Sequence, residues 1–407
     1  MSLPRRALCV LFLAAMTASA AWTETPGEPA ASSAAARTGV RDVAVGANHT
    51  CAVAQSGSVW CWGENSGGAI GDGTLVRRLV PTRVVDLDGP HVAVAVGEGF
   101  SCALSESGAV HCWGRNTRGQ LGDGTTSNSV RPVPVRGLQS GVQAITAGAG
   151  SACAINAQGR VLCWGENSDG QLGDGSTTAR SRPVRVQGLG GDVQAISAGS
   201  RHACALNRNG RAMCWGANRR GQLGDGTYTR RLVATRVAGV PRDARAISVG
   251  GGHSCMLDRQ GRVLCWGWNG DGALGSGNYE SSPLRVRARR IGTGAIALSA
   301  LGEAWEAGNV PRGHTCAVMA DGRTMCWGRN DQGQIGNGGT GGSARPLRVR
   351  GLSTPQHLAQ GVGQHRCAIN AAGRLMCWGE NVYGQLGNDS ISIARTPVAV
   401  LGALHRN

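Results

Sequence analysis

The chain has 407 residues, including 66 glycines and 15 cysteines, and a formal net charge of +16. Its length is ample for a large buried core. All 41 basic residues are arginine and are spread along the chain without a run, which argues against a dedicated nucleic-acid site and fits an acidic partner or an anionic surface.

The first element in chain order is a leader. Arg5 and Arg6 precede the apolar stretch Ala7 to Met16, and Ala18-Ser19-Ala20 supplies small residues for cleavage. This pattern predicts a signal peptide over residues 1–20 and export of the remainder. The apolar stretch is too short to span a bilayer, so no transmembrane segment is expected. Loss of the leader also removes Cys9 and leaves 14 cysteines, an even number, with a charge of +14. Residues 21–40 are rich in Ala, Ser, Pro and Thr and read as a flexible linker.

From residue 41 to 407 the chain repeats itself. Cysteines pair ten positions apart as Cys51/Cys61, Cys102/Cys112, Cys153/Cys163, Cys204/Cys214, Cys255/Cys265, Cys316/Cys326 and Cys367/Cys377. The step between pairs is 51 residues, except for 61 between Cys255 and Cys316. A fixed period near 50 signals a solenoid, propeller or array. The approximate repeats are 41–91, 92–142, 143–193, 194–244, 245–295, 296–356 and 357–407. Export and an even set of paired cysteines predict seven disulfides, one within each repeat. A ten-residue gap is not a zinc-knuckle spacing, so no metal is expected there.

The first copy shows what one repeat builds. Val43 to Val45, His49 to Val53, Ser58 to Trp62 and Pro81 to Val85 read as four short strands, the last opening on proline. Gln55-Ser56-Gly57 reads as a type I turn with a G1 bulge, which places Val53 opposite Val59 and Cys51 opposite Cys61. Trp62 then points to the strand face opposite the cysteine. Its counterparts Trp113, Trp164, Trp215, Trp266, Trp327 and Trp378 would stack one unit on the next. Four strands per unit, seven units and no helical period predict an all-β seven-bladed propeller with four-stranded blades and one intra-blade disulfide per blade.

Residues present in every copy build the scaffold, so recognition is sought where copies differ. The sixth copy carries a ten-residue insertion near 302–312, a stretch that includes Glu303, Trp305, Glu306 and Arg312. Trp and Arg are favoured binding anchors, and loops carry function more often than scaffold does. The loop tips also vary, with Arg118, Asp169, Arg219-Arg220, Asp271, Gln332 and Tyr383 in successive copies. Glu303, Trp305, Glu306, Arg312, Arg118, Arg219, Arg220 and Tyr383 are therefore the candidate partner-binding residues. His49, His202, His253, His314 and His365 sit two positions before the first cysteine of their copies, with Phe100 and Ser151 in two others. Spread over separate blades, they are expected to bond neighbouring backbone carbonyls. Asp72, Asp123, Asp174 and Asp225 lack a calcium-loop spacing and are expected to bond their own turn backbone.

Trp113-Gly114-Arg115-Asn116 followed by Gly119-Gln120-Leu121-Gly122-Asp123-Gly124-Thr125 resembles the repeat of the regulator of chromosome condensation family. The resemblance extends over residues 41 to about 400 and independently implies a seven-bladed propeller. It implies function less directly, because the family includes a nuclear exchange factor for the Ran GTPase, a plant ultraviolet-B photoreceptor and a secreted inhibitor of β-lactamases. The export signal and cysteine pairs bring this chain nearest in setting to the secreted inhibitor. No catalytic triad or carboxylate pair stands out from the repeat background. The expectation is a secreted, periplasmic or cell-surface monomer that is not an enzyme, uses no cofactor, and grips a protein partner, an acidic one by charge, through one face. Two alternatives are an exchange-factor-like GTPase regulator, implied by the family, and a lyase or hydrolase with a site at the channel mouth.

Overall fold

The structure is a computed structural model that describes residues 39–303 and 311–402. The leader, residues 21–38 of the linker, and Trp305 and Glu306 lie outside the described residues.

Seven antiparallel sheets follow one another along the chain, each built from consecutive strands. Blade 1 contains β1 (Val40–Val45), β2 (His49–Ala54), β3 (Val59–Gly63) and β4 (Arg78–Arg83). Inner strands of neighbouring blades touch in sequence around the ring, and β1 touches the last blade. The outer strand begins three residues earlier than its proline suggests. Pro81 lies inside β4 rather than at its start, and the missing N–H is tolerated because β4 is the outermost strand.

The hairpin register matches the turn chemistry. Val53 faces Val59 and Cys51 faces Cys61, Ala54 N–H donates to Ser58 O at 2.9 Å, and Gly57 takes φ 87°, the left-handed region a residue with a Cβ avoids. The other copies repeat this register. Cys102 faces Cys112, Cys153 faces Cys163 and Cys204 faces Cys214. Cys255 faces Cys265, Cys316 faces Cys326 and Cys367 faces Cys377. All seven pairs are disulfide-bonded as expected: Cys51–Cys61, Cys102–Cys112, Cys153–Cys163, Cys204–Cys214, Cys255–Cys265, Cys316–Cys326 and Cys367–Cys377. Each bridge joins the two middle strands of its own blade, with Cα separations of 4.0–4.1 Å.

The ring closes without exchanging a strand. At four other junctions the first inner-strand residue donates its N–H to the turn glycine of the preceding blade: His91 to Gly57, Val142 to Gly108, Val193 to Gly159 and Ala295 to Gly261. Val40 makes the same bond to Gly373 O at 3.1 Å. The two-residue strand Gln360–Gly361 adds a parallel pairing to Ala44 and Val45. Blade 7 thus joins blade 1 by the contacts that join the others, plus one short ladder.

Each seam is apolar with a polar pin at its centre. All seven repeat tryptophans are fully buried. Each indole Nε1–H donates to a backbone carbonyl of the preceding blade, from Trp113 to Ala69 O at 2.8 Å to Trp62 to Gln385 O at 2.9 Å. This removes the desolvation cost of a buried indole nitrogen. Glycines set the blade spacing at the inner edge. A Cβ on Gly148 would lie 2.1 Å from Gly199 O, and one on Gly199 would lie 2.3 Å from Gly250 O.

The histidines pin the same seams, but not to carbonyls as expected from sequence. The ring Nε2 reaches the hydroxyl of the next blade: His49 to Ser101 at 2.8 Å, His202 to Ser254 at 2.8 Å, His253 to Thr315 at 2.8 Å and His365 to Thr50 at 2.7 Å. The hydroxyl spends its proton on a carbonyl; Ser101 donates to Ala69 O at 2.9 Å. It must therefore accept from the imidazole, which fixes the neutral Nε2–H tautomer. Burial agrees, pushing His49 down to about 4 and His202, His253 and His365 down to about 3.

The fifth histidine breaks the rule. Opposite His314 stands Arg366, fully buried, its guanidinium donating to Ser299 Oγ at 3.0 Å, Ser299 O at 3.1 Å and His314 O at 2.9 Å. No carboxylate is among these partners, and burial lowers the Arg366 pKa to about 9. Both ring nitrogens of His314 lack a hydrogen-bond partner.

Candidate functional site

Strands alternate in direction, so the links from first to second strand and from third to fourth emerge on one face. The third-to-fourth link is held rigid by an asparagine. Asn65 Nδ2 donates to Thr74 O at 3.1 Å and Val76 O at 3.0 Å, and Ile70 N–H donates to Asn65 Oδ1 at 2.9 Å. The aspartates complete the turn as expected, Asp72 accepting from Thr74 N at 3.0 Å. Three of them also pair with the outer strand, Arg78 to Asp72 at 2.6 Å, Arg180 to Asp174 at 2.8 Å and Arg231 to Asp225 at 2.8 Å. At the tips, Arg118, Arg220 and Tyr383 each donate a backbone N–H to a glutamine side chain two residues on, at 2.8–2.9 Å. The frame is constant while the side chains vary.

The insertion extends the first hairpin of blade 6. Glu303 N–H donates to Arg312 O at 3.1 Å, and Arg312 N–H to Glu303 O at 2.8 Å. This stem leans on blade 5, where paired glycines make room. A Cβ on Gly251 would lie 2.5 Å from Glu303 O, and one on Gly252 would lie 2.5 Å from the Pro311 ring. Gly313 N–H at the base donates to Asp271 Oδ2 at 3.0 Å.

A charged and aromatic cluster surrounds the stem. The Arg220 guanidinium lies 4.8 Å from the centroid of the Trp268 ring, a cation–π contact. Arg329 pairs with Asp331 through two nitrogens, and Gln334 links Asp331 to Gln364 at 3.2 and 2.9 Å. Burial, with Glu303 and Asp331 nearby, pushes Glu380 up to about 7, against the pull of Arg312 and Arg329. Burial also raises Asp271, opposed by the Gly313 N–H.

Of the residues singled out in the sequence, Arg220, Glu303 and Arg312 are gathered here from blades 4 and 6. Arg118 and Arg219 are exposed at loop tips of blades 2 and 4, and Tyr383 is 37% exposed on blade 7. Trp268, Arg329, Asp331 and Glu380 were missed. Trp268, Arg329 and Glu380 occupy the variable position of Trp-Gly-x-Asn, where earlier copies read Glu64, Arg115, Glu166 and Ala217. That column varied as strongly as the loop tips and carried the same signal.

A seven-bladed propeller with a Trp-Gly-x-Asn turn in every blade is a propeller of the RCC1 type. The chain belongs to the RCC1-like domain family, matching that domain over residues 15–303 and the regulator of chromosome condensation repeat over residues 312–334. It is 30% identical to the ultraviolet-B receptor UVR8 of Arabidopsis thaliana, over 85% of this chain and 78% of the receptor. It is 29% identical to the human E3 ubiquitin-protein ligase HERC2, over 84% of this chain but 7% of that protein. Human WBSCR16 shares the fold with a TM-score of 0.73 at 22% identity, covering 85% of this chain and 94% of that one. Yeast RCC1 (Prp20), solved with Kap60, does so at 0.72 and 19%, covering 85% and 84%.

Proposed function

We propose that the protein is an exported, non-catalytic, monomeric propeller that grips a protein partner through the face carrying the blade 6 hairpin. The observation that carries this reading is the convergence of Arg220, Trp268, Glu303, Arg312, Arg329 and Glu380 around one stem. Aromatic and arginine anchors in a partly desolvated setting are what protein interfaces concentrate. The leader pattern supports export, and seven buried disulfides fit an oxidising compartment. The charge of the chain favours an acidic partner.

The repeat tryptophans and four of the five repeat histidines are committed to hydrogen bonds across the seams, which favours the varied face as the place for recognition. Likeness to yeast RCC1 at 19% identity speaks to the fold, and the ligase matches this chain over a small part of its length. Neither brings an activity with it. Deleting residues 303–312 returns the sixth repeat to the common 51-residue step. The deleted protein should keep its thermal midpoint and lose partner capture from the organism's secreted and envelope fraction. Undiminished capture of the same partner would refute the assignment.

A further inference from the structure

A second site, remote from that hairpin, sits at the outer rim of blade 5. There the outer strand Ser282–Arg287 and the turn after it bound a cavity of about 830 Å³. Val286, Ala288 and Ile291 form its apolar wall, and Arg287, Arg289 and Arg290 are exposed around it, with Ser276 and Asn278 opposite. Its volume falls within the range of small-molecule sites. No carboxylate lines it; Glu280, in the adjoining loop, is engaged by the Asn278 amide at 3.4 Å.

Comparison with the other blades shows what is unusual. In blades 1, 3 and 4 the turn aspartate is neutralised by the arginine that opens the outer strand: Asp72 with Arg78, Asp174 with Arg180, Asp225 with Arg231. In blade 5 both members are serine, Ser276 and Ser282. At the seam from blade 1 to blade 2, Asp86 pairs with Arg131. At the seam from blade 5 to blade 6 the same two positions are Arg290 and Arg345, both cationic. Blade 5 alone has arginine at all three positions equivalent to 287, 289 and 290.

The backbone carries a cost to place one of them. Arg290 has φ 63°, whereas five other blades have glycine at this position: Gly137, Gly188, Gly239, Gly351 and Gly402, at φ 64–100°. A bulky side chain in the left-handed region is disfavoured, and such strain concentrates at functional positions. The arginines also converge. Arg289 Nε and Arg345 Nε both lie within 3.7 Å of the point where a Cβ would project from Gly277. Arg287 is held across the turn by a bond from Nη2 to Gly292 O at 3.0 Å.

We propose that this rim cavity binds a compact, soluble oligophosphate. Phosphate oxygens match the bidentate fork of arginine, and several phosphates on a small frame supply the negative charge that this sector of the scaffold has shed. The Ser276 hydroxyl and Asn278 amide add neutral donors on the opposite wall. The site is independent of the partner-binding face, and the hairpin deletion leaves it intact.

The test is calorimetric titration of the full chain with inorganic tripolyphosphate at about 150 mM salt, where distant surface charges are screened. Wild type should bind, and Arg289→Ala with Arg290→Gly should weaken binding at least tenfold. Arg290→Gly alone should weaken it about threefold with an equal or higher thermal midpoint, because glycine suits that φ; a merely structural arginine would not separate the two readouts. Ser276→Asp should also weaken binding. Arg185→Ala with Arg236→Ala, which removes the same charge from blades 3 and 4, should change affinity less than twofold. Absent binding by wild type, unchanged affinity in the double variant, or an equal loss in the blade 3 and 4 control would overturn the proposal. So would binding of single-stranded DNA or anionic vesicles through these arginines without binding of tripolyphosphate.

Discussion

Substituting Ser101 by alanine tests the seam pin directly. The change deletes the acceptor of the fully buried His49 Nε2–H while the ring stays in place. Ala69 O keeps its bond from Trp113, so the imidazole bears the loss. A buried donor left unpaired costs about 1–3 kcal/mol. With an unfolding entropy of about 2.1 cal/mol/K per residue over a propeller of this size, that corresponds to a fall in thermal midpoint of roughly 1–4 °C. The protein contains its own control. The next seam carries Phe100 and Ala152 in place of His49 and Ser101. Phe100 fits because its ring covers Gly97, whose Cβ would lie 2.0 Å from Cε1, just as His49 covers Gly46. The double variant His49→Phe with Ser101→Ala copies that seam and should recover about 1 kcal/mol or more relative to the sum of the single changes. Calorimetric scans of the four proteins measure this coupling. Strictly additive losses, or a Ser101→Ala protein as stable as wild type, would refute the reasoning.

Acid should destabilise the propeller through the same histidines. Each is neutral when folded, with burial holding its pKa near 3 or 4, and takes a proton near 6.5 when unfolded. Stability therefore falls as pH drops from 6.5 toward 4, and the His49→Phe, Ser101→Ala variant should show a shallower fall in thermal midpoint. Glu380 has the opposite sign. With its folded pKa raised to about 7 by burial and neighbouring carboxylates, it disfavours the folded state as pH rises from about 4.5 to 7. Glu380→Gln should add about 1–2 kcal/mol above pH 7, discounted for its partial exposure, and nothing at pH 4. An equal gain at both pH values would contradict this. Replacing Cys51 and Cys61 by alanine should cost up to about 2.5–3 kcal/mol from the opened ten-residue loop, read as a lower urea midpoint; thiol alkylation of the wild-type protein without residues 1–20, and so without Cys9, should label nothing before reduction. Gly148→Ala places a methyl against Gly199 O, and soluble yield should collapse; a normal yield with a native midpoint would show that the seam spacing is not set there.

The fold was legible because every rule acted seven times. A glycine turn, a cysteine pair at a fixed gap and a tryptophan one residue on are local signals. Their repetition converted a weak strand reading into an architecture. The seam pin was missed although its trace was present. His49, His202 and His253 stand a blade ahead of Ser101, Ser254 and Thr315, while Phe100 and Ser151 stand ahead of Ala152 and Ala203. Reading copies against themselves shows both columns vary; only reading each blade against the next shows that they vary together. Ring closure was not legible, because Gln360–Gly361 pairs with β1 across more than 300 residues and no local pattern encodes it. The candidate face was legible in part. The insertion and loop tips announced themselves by length and variation, but their meeting depends on Gly251 and Gly252 yielding space in a neighbouring blade. The strain at Arg290 likewise appears only when a backbone angle is set beside the glycines of five sister turns.

Hydrogen exchange on the complex with the captured partner tests the division between scaffold and recognition most directly. Slowed exchange should concentrate around Arg220, Trp268, Arg312, Arg329 and Glu380. The turns holding Gly57, Gly108 and Gly159, on the opposite face, should exchange as in the free protein. Protection centred on those turns, or spread evenly over all seven blades, would contradict the account.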